Sequence, residues 1–443
     1  MILWKVAFQG WKERPVLGWG QENFLYVFSK YYDPALWKNE PWFDRAHNVF
    51  LDWLISAGIL GLGAYLVMLG VTISLLFGAW KSGKVDRYIF AGLLSLLAAY
   101  LSQSLFVFDN LTSHLFFFAV LAWIQNISIG ENISAFSRSV PIRARISLLG
   151  YFAVMVSAVT VGYSLVFFQV KPARAAHSIV NTMRIVLQHQ PAGKIEAAIN
   201  EAKRGIALDT FGTTEIRERI QQDGTSIFGD QAIAVQDKQK YLAFIVEELE
   251  KQRRENPYDV RAIVFLADTY MTAGRYQEAF LHAQEALRIS PHRQSFDFIA
   301  AAAELSNNRQ AEAMQLLQKA YQLDPQNPEA VHNIAAVLIA SGRVKEGEDF
   351  LERHFGRRTV PYKKFVSAYE RIGDLRGVVA VWETLVAFSP NNAQYRVDLG
   401  NAYRNIGEKE KAIAQFEKAI ELEPSFKAGG EEIIRQIQQT VGR

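Results

Sequence analysis

The chain has 443 residues, half of them hydrophobic, with 48 Lys and Arg against 45 Asp and Glu and a net charge of +3. That balance is too small to argue for nucleic acid as a partner, and the absence of cysteine excludes a disulfide framework, thiolate catalysis and thiolate metal sites. The length allows several domains, and the apolar residues crowd into the part before about position 170, with polar sequence of helical periodicity after it. The pattern predicts an all-α chain, a polytopic helical membrane domain followed by an α-solenoid.

Met1–Gly10, MILWKVAFQG, has the single charge Lys5 and lacks the small-residue cleavage site of a signal peptide. Its apolar residues fit a short amphipathic helix lying at an interface. From Trp11 to Glu40, Pro15, Gly18, Gly20 and Pro34 punctuate a loop that Pro41 closes. Trp4, Trp11, Trp19, Tyr26, Tyr31, Tyr32, Trp37 and Trp42 are dense for a loop, and such rings favour the headgroup zone. Residues 1–47 thus read as one external loop with an interfacial helix.

Residues 48–170 hold four apolar runs, each long enough to cross roughly 30 Å of hydrocarbon as a helix. They are expected at about Val49–Phe77, Tyr88–Phe108, Leu111–Ile129 and Ile146–Val170. Lys81, Lys84 and Arg87 follow the first run, and Arg138, Arg143 and Arg145 follow the third, whereas the Asp109 turn has no cation. Basic short loops stay cytoplasmic. Residues 1–47 and everything beyond Lys171 are therefore expected on the extracytoplasmic side. An external segment carrying Lys5, Lys12, Arg14, Lys30, Lys38 and Arg45 needs a preceding membrane signal to cross, so the chain is expected to be the C-terminal part of a larger polytopic protein.

Residues 171–257 read as helical hairpins with Ala197, Ala198, Ala202 and Ala207 marking a close-packed face. Residues 258–425 are repetitive. Pro291 and Pro325 lie ~34 residues apart, as do Pro390 and Pro424, which is the tetratricopeptide period. The last repeat is the clearest, with Leu399, Gly400, Tyr403, Gly407, Ala412, Phe416, Ala419 and Pro424. A third repeat around Ile334, Ala335, Leu338 and Gly342 lacks the closing proline. Small residues let the two helices of a hairpin approach, and the proline ends the second. Residues 426–443 read as a capping helix. The default role of such a solenoid is a concave surface for a peptide or protein. His282, His292 and His354 lack metal-ligand spacing.

The first part also resembles a known family. WKERPVLGWGQENF, YYDP and WFDRAHNVFLDWLISAGILGL are similar to the last large external loop and following spans of the bacterial O-antigen ligase/polymerase family. The matching motif residues are Trp11, Pro15, Gly18 and Gly20, then His47 and Asn48, then Gly58 and Gly61. The resemblance implies an all-helical enzyme of the cytoplasmic membrane. Such an enzyme transfers a polyprenyl-pyrophosphate-linked glycan to an acceptor hydroxyl on a lipid or another glycan, a protein acceptor being compatible. It implies no cofactor and no metal.

Each candidate residue has a competing reading. His47 is expected to orient or deprotonate the acceptor hydroxyl, since imidazole titrates near neutrality, or else to cap the helix start. Arg14 and Arg45 are expected to bind the pyrophosphate through paired donors. Otherwise Arg14 pairs with Glu13 or Glu22, and Arg45 anchors at the interface or pairs with Asp44. Asp44 is placed with the two arginines as binding the pyrophosphate or glycan, and Asn48 and Asp52 as support, with Asp52 able to pair with Arg45 or Lys38. His114 reads as structural, and Gly58, Gly61 and Gly63 as permitting close helix packing. The competing class is a membrane-anchored scaffold whose repeats recruit envelope proteins, and a weaker third is a transporter, which the uncharged interiors of the later spans disfavour.

Overall fold

The computed structural model describes residues 2–39, 42–129, 148–187 and 193–439, and every regular element among them is helical. The chain divides into two compact units, Met1–Arg293 and Gln294–Arg443.

The first unit is built on the helix Val49–Lys81. Asn48 starts it: its extended backbone and its side-chain oxygen, which accepts the Leu51 N–H at 3.0 Å, make an N-cap. Its amide also donates to the Leu105 carbonyl at 3.0 Å, tying the helix start to the end of the next helix. The helix has 33 residues and outruns the expected end at Phe77. It is also broken, for Gly58 has φ 64° and ψ −163°.

A break inside a membrane-spanning helix leaves backbone groups without partners. Here the segment Pro15–Gly20 supplies them. Trp19 and Gly20 N–H groups donate to the carbonyls of Ile55 and Ser56 at 2.7 and 2.9 Å, and the Ile59 N–H donates to Pro15 at 2.9 Å. Two glycines allow this approach. A Cβ on Gly58 would lie 2.1 Å from the Val16 carbonyl oxygen, and one on Gly18, at φ 70°, 2.4 Å from that of Ile55. Gly58 therefore admits a loop, not the neighbouring helix that its spacing suggests. Gly63 faces open space.

The segment before this helix is also more ordered than a loop. Helices Ile2–Glu13 and Phe24–Lys30 and a 3₁₀ turn at Pro34–Lys38, capped by Asp33, enclose a small core. Val6, Ala7, Val27, Phe28, Leu36, Phe43 and Ala46 form it together with Ile55. Several of the rings expected at an interface contribute to this core. Tyr32 is buried in this core, and Trp11, Trp19, Tyr31 and Trp42 pack against it. Neither ring density nor the i, i+3, i+4 spacing of Phe24, Val27 and Phe28 distinguishes a belt from a core, because a helix at an interface has the same period. Met1, Glu40 and Pro41 lie outside the described residues.

Among the described residues, three helices are long and apolar enough to cross a membrane: Val49–Lys81, Leu111–Ser128 and Gly150–Leu187. The second expected span forms as the helix Arg87–Ser104, capped by Asp86, but is not one of the three. It has 18 residues, and Ser95, Ser102, Gln103 and Ser104 dilute its hydropathy. It still packs with the others, as Leu93 and Leu97 join Tyr65, Leu69, Leu76, Phe117 and Ile124 in one cluster. The last span continues past Val170 through a π-helical turn into Lys171–Leu187. That continuation has its own inward face of Ala175, Ser178, Thr182 and Val186. Ile146 and the basic residues Arg138, Arg143 and Arg145 lie outside the described residues.

Helices Lys194–Ile206, Thr213–Gly229 and Val235–Glu255 follow. In the first of these Ile195, Ala198, Ala202 and Gly205 are buried, but Ala197 and Ala207 are exposed. These two alanines fall off the i, i+3, i+4 stripe. The first repeat hairpin, Val260–Thr272 with Tyr276–Ile289, closes the unit.

The second unit consists of hairpins Gln294–Ser306 with Gln310–Leu323, Pro328–Ala340 with Val344–Phe355, Lys364–Arg371 with Leu375–Phe388, and Ala393–Asn405 with Lys409–Leu422. Lys427–Gln439 ends it. The small residues pack as their spacing requires: Ala301, Ala320, Ala335, Ala412 and Ala419 are at most 1% exposed. Where the third repeat lacks a proline, its second helix ends at Gly356, and the following helix is cut to eight residues.

Candidate functional site

The helix break, the Asp44–Asn48 turn and the start of Leu111–Ile129 converge on a cavity of about 180 Å³. Glu22, Asp44, Arg45, Asp52, Ser56, Asp109 and His114 line it, with Trp53 and Phe24 as apolar wall. Asp52 receives the Ala46 N–H at 2.8 Å, so it holds the turn that presents Asp44 and Arg45. It is not paired with Lys38 or Arg45, as its sequence position suggests. The Arg45 guanidinium forms an ion pair with Glu22 and lies 5.8 Å from the Phe108 ring centre. Asp109 accepts from the Tyr100 hydroxyl at 2.7 Å and from Ser113 Oγ at 2.9 Å. The lining thus carries four carboxylates and one guanidinium. Carboxylates accept hydrogen bonds from hydroxyls, and several together repel an anion.

His47 sits beside this cavity, not in its wall. Its backbone is left-handed, at φ 54°. The imidazole stands edge-on between Phe43, at 5.5 Å, and Phe108, at 5.2 Å. Phe108 is thus a common neighbour of His47 and Arg45. His47 Nδ1 lies 3.3 Å from the Arg45 carbonyl. A carbonyl only accepts, so Nδ1 is the donor of that bond. In the neutral ring Nε2 then keeps its lone pair, the tautomer a proton acceptor needs.

Arg14 is not brought to Arg45. Its guanidinium stacks over Trp19 at 4.3 Å and faces a second cleft. The pairings weighed for Arg14 are corrected as well, because Glu13 is taken by Lys30 at 2.6 Å and by the Tyr31 hydroxyl, and Glu22 by Arg45. Asn48 supports the site from below, 5% exposed and bonded on both sides. Asn48→Ala is expected to lower stability by about 1–2 kcal/mol through loss of the cap and of the Leu105 tie. Thermal unfolding of the purified chain measures it.

Three titratable residues of this wall are not singled out as site residues by the sequence: Glu22, Asp109 and His114. Asp109 reads there only as a turn, and His114 as structural. A polar residue at each end of the short turn between two apolar helices is the available signal.

The comparisons with known proteins match the two parts of the chain to different families. Residues 1–66 match the model of the O-antigen ligase family. Residues 266–328, 304–355 and 393–426 match tetratricopeptide repeat models. The TPR repeat-containing protein YpiA of Bacillus subtilis is 23% identical over 216 residues, 48% of this chain and 51% of that protein. The chain therefore spans about half the length of that curated relative. Among solved structures, a tetratricopeptide repeat protein from Parabacteroides merdae is 16% identical, with a TM-score of 0.38, covering 60% of this chain and 99% of that one. MamA is 18% identical, with a TM-score of 0.26, covering 44% and 98% respectively. Residues 1–66 thus match the O-antigen ligase family and the C-terminal part carries tetratricopeptide repeats, alongside helices long and apolar enough to cross a membrane.

Proposed function

We propose that the N-terminal part carries the acceptor side of a membrane glycan ligase or polymerase site. The observation behind this reading is the docking of Pro15–Gly20 into the helix break, which gathers His47, Arg45 and the carboxylate-lined cavity at one end of the span. The carboxylates hold the hydroxyls of the acceptor, a lipid, a glycan or a protein. One acceptor oxygen attacks the anomeric carbon of a polyprenyl-pyrophosphate-linked glycan. As that C–O bond forms, the bond from the anomeric carbon to the pyrophosphate oxygen breaks, and its electron pair leaves with the pyrophosphate. The hydroxyl proton passes to His47 Nε2. Arg45 leaves Glu22 and pairs with the departing pyrophosphate. Asn48 and Asp52 hold the turn that presents Asp44 to the acceptor.

In this reading the site and the repeats lie on the extracytoplasmic side of the cytoplasmic membrane, and the repeats engage a protein or peptide. Arg45 provides the test. Arg45→Ala is expected to weaken binding of a polyprenyl-pyrophosphate glycan about tenfold or more, with Arg45→Lys intermediate because it loses the paired donors but keeps the charge. Equal binding in all three proteins, measured in detergent, would favour a membrane-anchored scaffold.

A further inference from the structure

The first unit has a second cleft of about 550 Å³, between the Ile2–Lys30 segment and the first repeat hairpin. That volume suits a small ligand. Its walls are Arg14, Trp19, Tyr26 and Tyr31 on one side, and Tyr258 and Arg288 on the other. The two sides are held together. Arg293, buried at the end of the repeat, stacks over the Trp42 ring at 3.8 Å and lies 5.1 Å from that of Tyr32. Tyr26 and Tyr258 approach to 6.1 Å across the cleft.

The chemistry of the walls differs from that of the acidic cavity. Four aromatic rings line the cleft, and ring faces are the surfaces on which the C–H faces of sugar rings rest. The one carboxylate, Glu13, is already engaged by Lys30 and Tyr31. Those bonds hold the Glu13 carboxyl below its ordinary range and push the Tyr31 hydroxyl up to about 12. With Glu13 balanced by Lys30, the guanidinium groups of Arg14 and Arg288 set the sign of the cleft, and it is positive.

We propose that this aromatic, cationic cleft binds an anionic sugar chain, a saccharide bearing carboxylate or phosphate groups, between the membrane-proximal loop and the first repeat. The inference rests on the reading that the chain handles a glycan, and adds to it a site for sugar units remote from the reacting bond. It also gives Arg14 a role that its distance from Arg45 otherwise leaves open.

The test is calorimetric titration of the full chain in detergent with four probes: hexagalacturonate, maltohexaose, inorganic pyrophosphate and glycerol phosphate. Hexagalacturonate is expected to bind best. Its affinity should fall about tenfold in Tyr258→Ala and again in Arg288→Gln, the equivalent of one good contact in each case. Tyr258 is 62% exposed, so the first variant keeps the fold, which thermal unfolding checks. No binding of hexagalacturonate overturns the proposal, as does unchanged affinity in both variants. Equal binding of maltohexaose removes the anionic requirement and overturns it too. Tighter binding of glycerol phosphate would make the cleft a lipid-headgroup site, and tighter pyrophosphate a leaving-group site. The readout needs no turnover. Hexagalacturonate binding retained by a His47→Asn protein keeps the cleft apart from any failure of the transfer reading.

Discussion

Replacing His47 by alanine is expected to lower glycan transfer by about 10²–10⁴-fold, the usual contribution of a positioned general base. The expectation follows from three features on the same side chain. Its Nδ1 is committed to the Arg45 carbonyl, so Nε2 is the proton acceptor. The imidazole plane is clamped edge-on by Phe43 and Phe108. Arg45, the group assigned to the leaving pyrophosphate, shares the Phe108 ring. A left-handed backbone complicates the alanine variant, since alanine pays a small strain at φ 54°. His47→Asn removes that ambiguity, because asparagine tolerates this conformation and does not take a proton at neutral pH. Both variants should lose transfer, and His47→Asn should unfold at the wild-type temperature. Full transfer by His47→Asn would reduce His47 to a turn residue.

The residues that are legible in the sequence and those that are not differ in physical kind. Helical periodicity and proline spacing depend only on neighbours along the chain, so Leu399, Gly400 and Phe416 announce their hairpin by spacing alone. The H-N pair is legible as a boundary, but the cap is Asn48 and not His47, for which the sequence offers that role. What spacing hides is whatever depends on two distant segments meeting. Gly58 lies in an apolar run where a glycine reads as a packing surface, and only the arrival of Pro15–Gly20 reveals a break. Arg14 and Arg45 are both cations in one polar stretch, yet the small core of Val27, Phe28 and Phe43 folds that stretch so that each faces its own cleft. Asp109 and His114 enter the cavity wall because a short turn returns the chain beside the start of Val49–Lys81, a pairing that no local pattern encodes.

Gly58→Ala is expected to expel the Pro15–Gly20 segment from the helix and abolish transfer with it. The added Cβ would stand 2.1 Å from the Val16 carbonyl oxygen and 2.7 Å from the Leu17 nitrogen, both backbone atoms with no rotamer to yield. Its φ of 64° and ψ of −163° lie in a region essentially limited to glycine, which adds a further cost of about 1–3 kcal/mol for any residue with a Cβ. The sum of strain and clash is about 3–5 kcal/mol, comparable to the other severe single-site effects. The helix has a ready escape, since alanine favours ordinary helical geometry and can close the break. Closure would leave the Trp19 and Gly20 amides without the Ile55 and Ser56 carbonyls that now receive them. Hydrogen exchange reads this directly: those two amides should be protected in the wild type and exchange rapidly in the variant, whereas the Ile59 amide stays protected by passing from the Pro15 carbonyl to that of Ile55 in the closed helix. Gly63→Ala is the control, because its Cβ meets nothing within 4 Å and it sits in the same helix. That variant should match the wild type in exchange and transfer, or gain up to about 1 kcal/mol. If Gly58→Ala kept its Trp19 and Gly20 amides protected, the loop would not depend on the break. If it lost protection but kept transfer, the loop would not belong to the site.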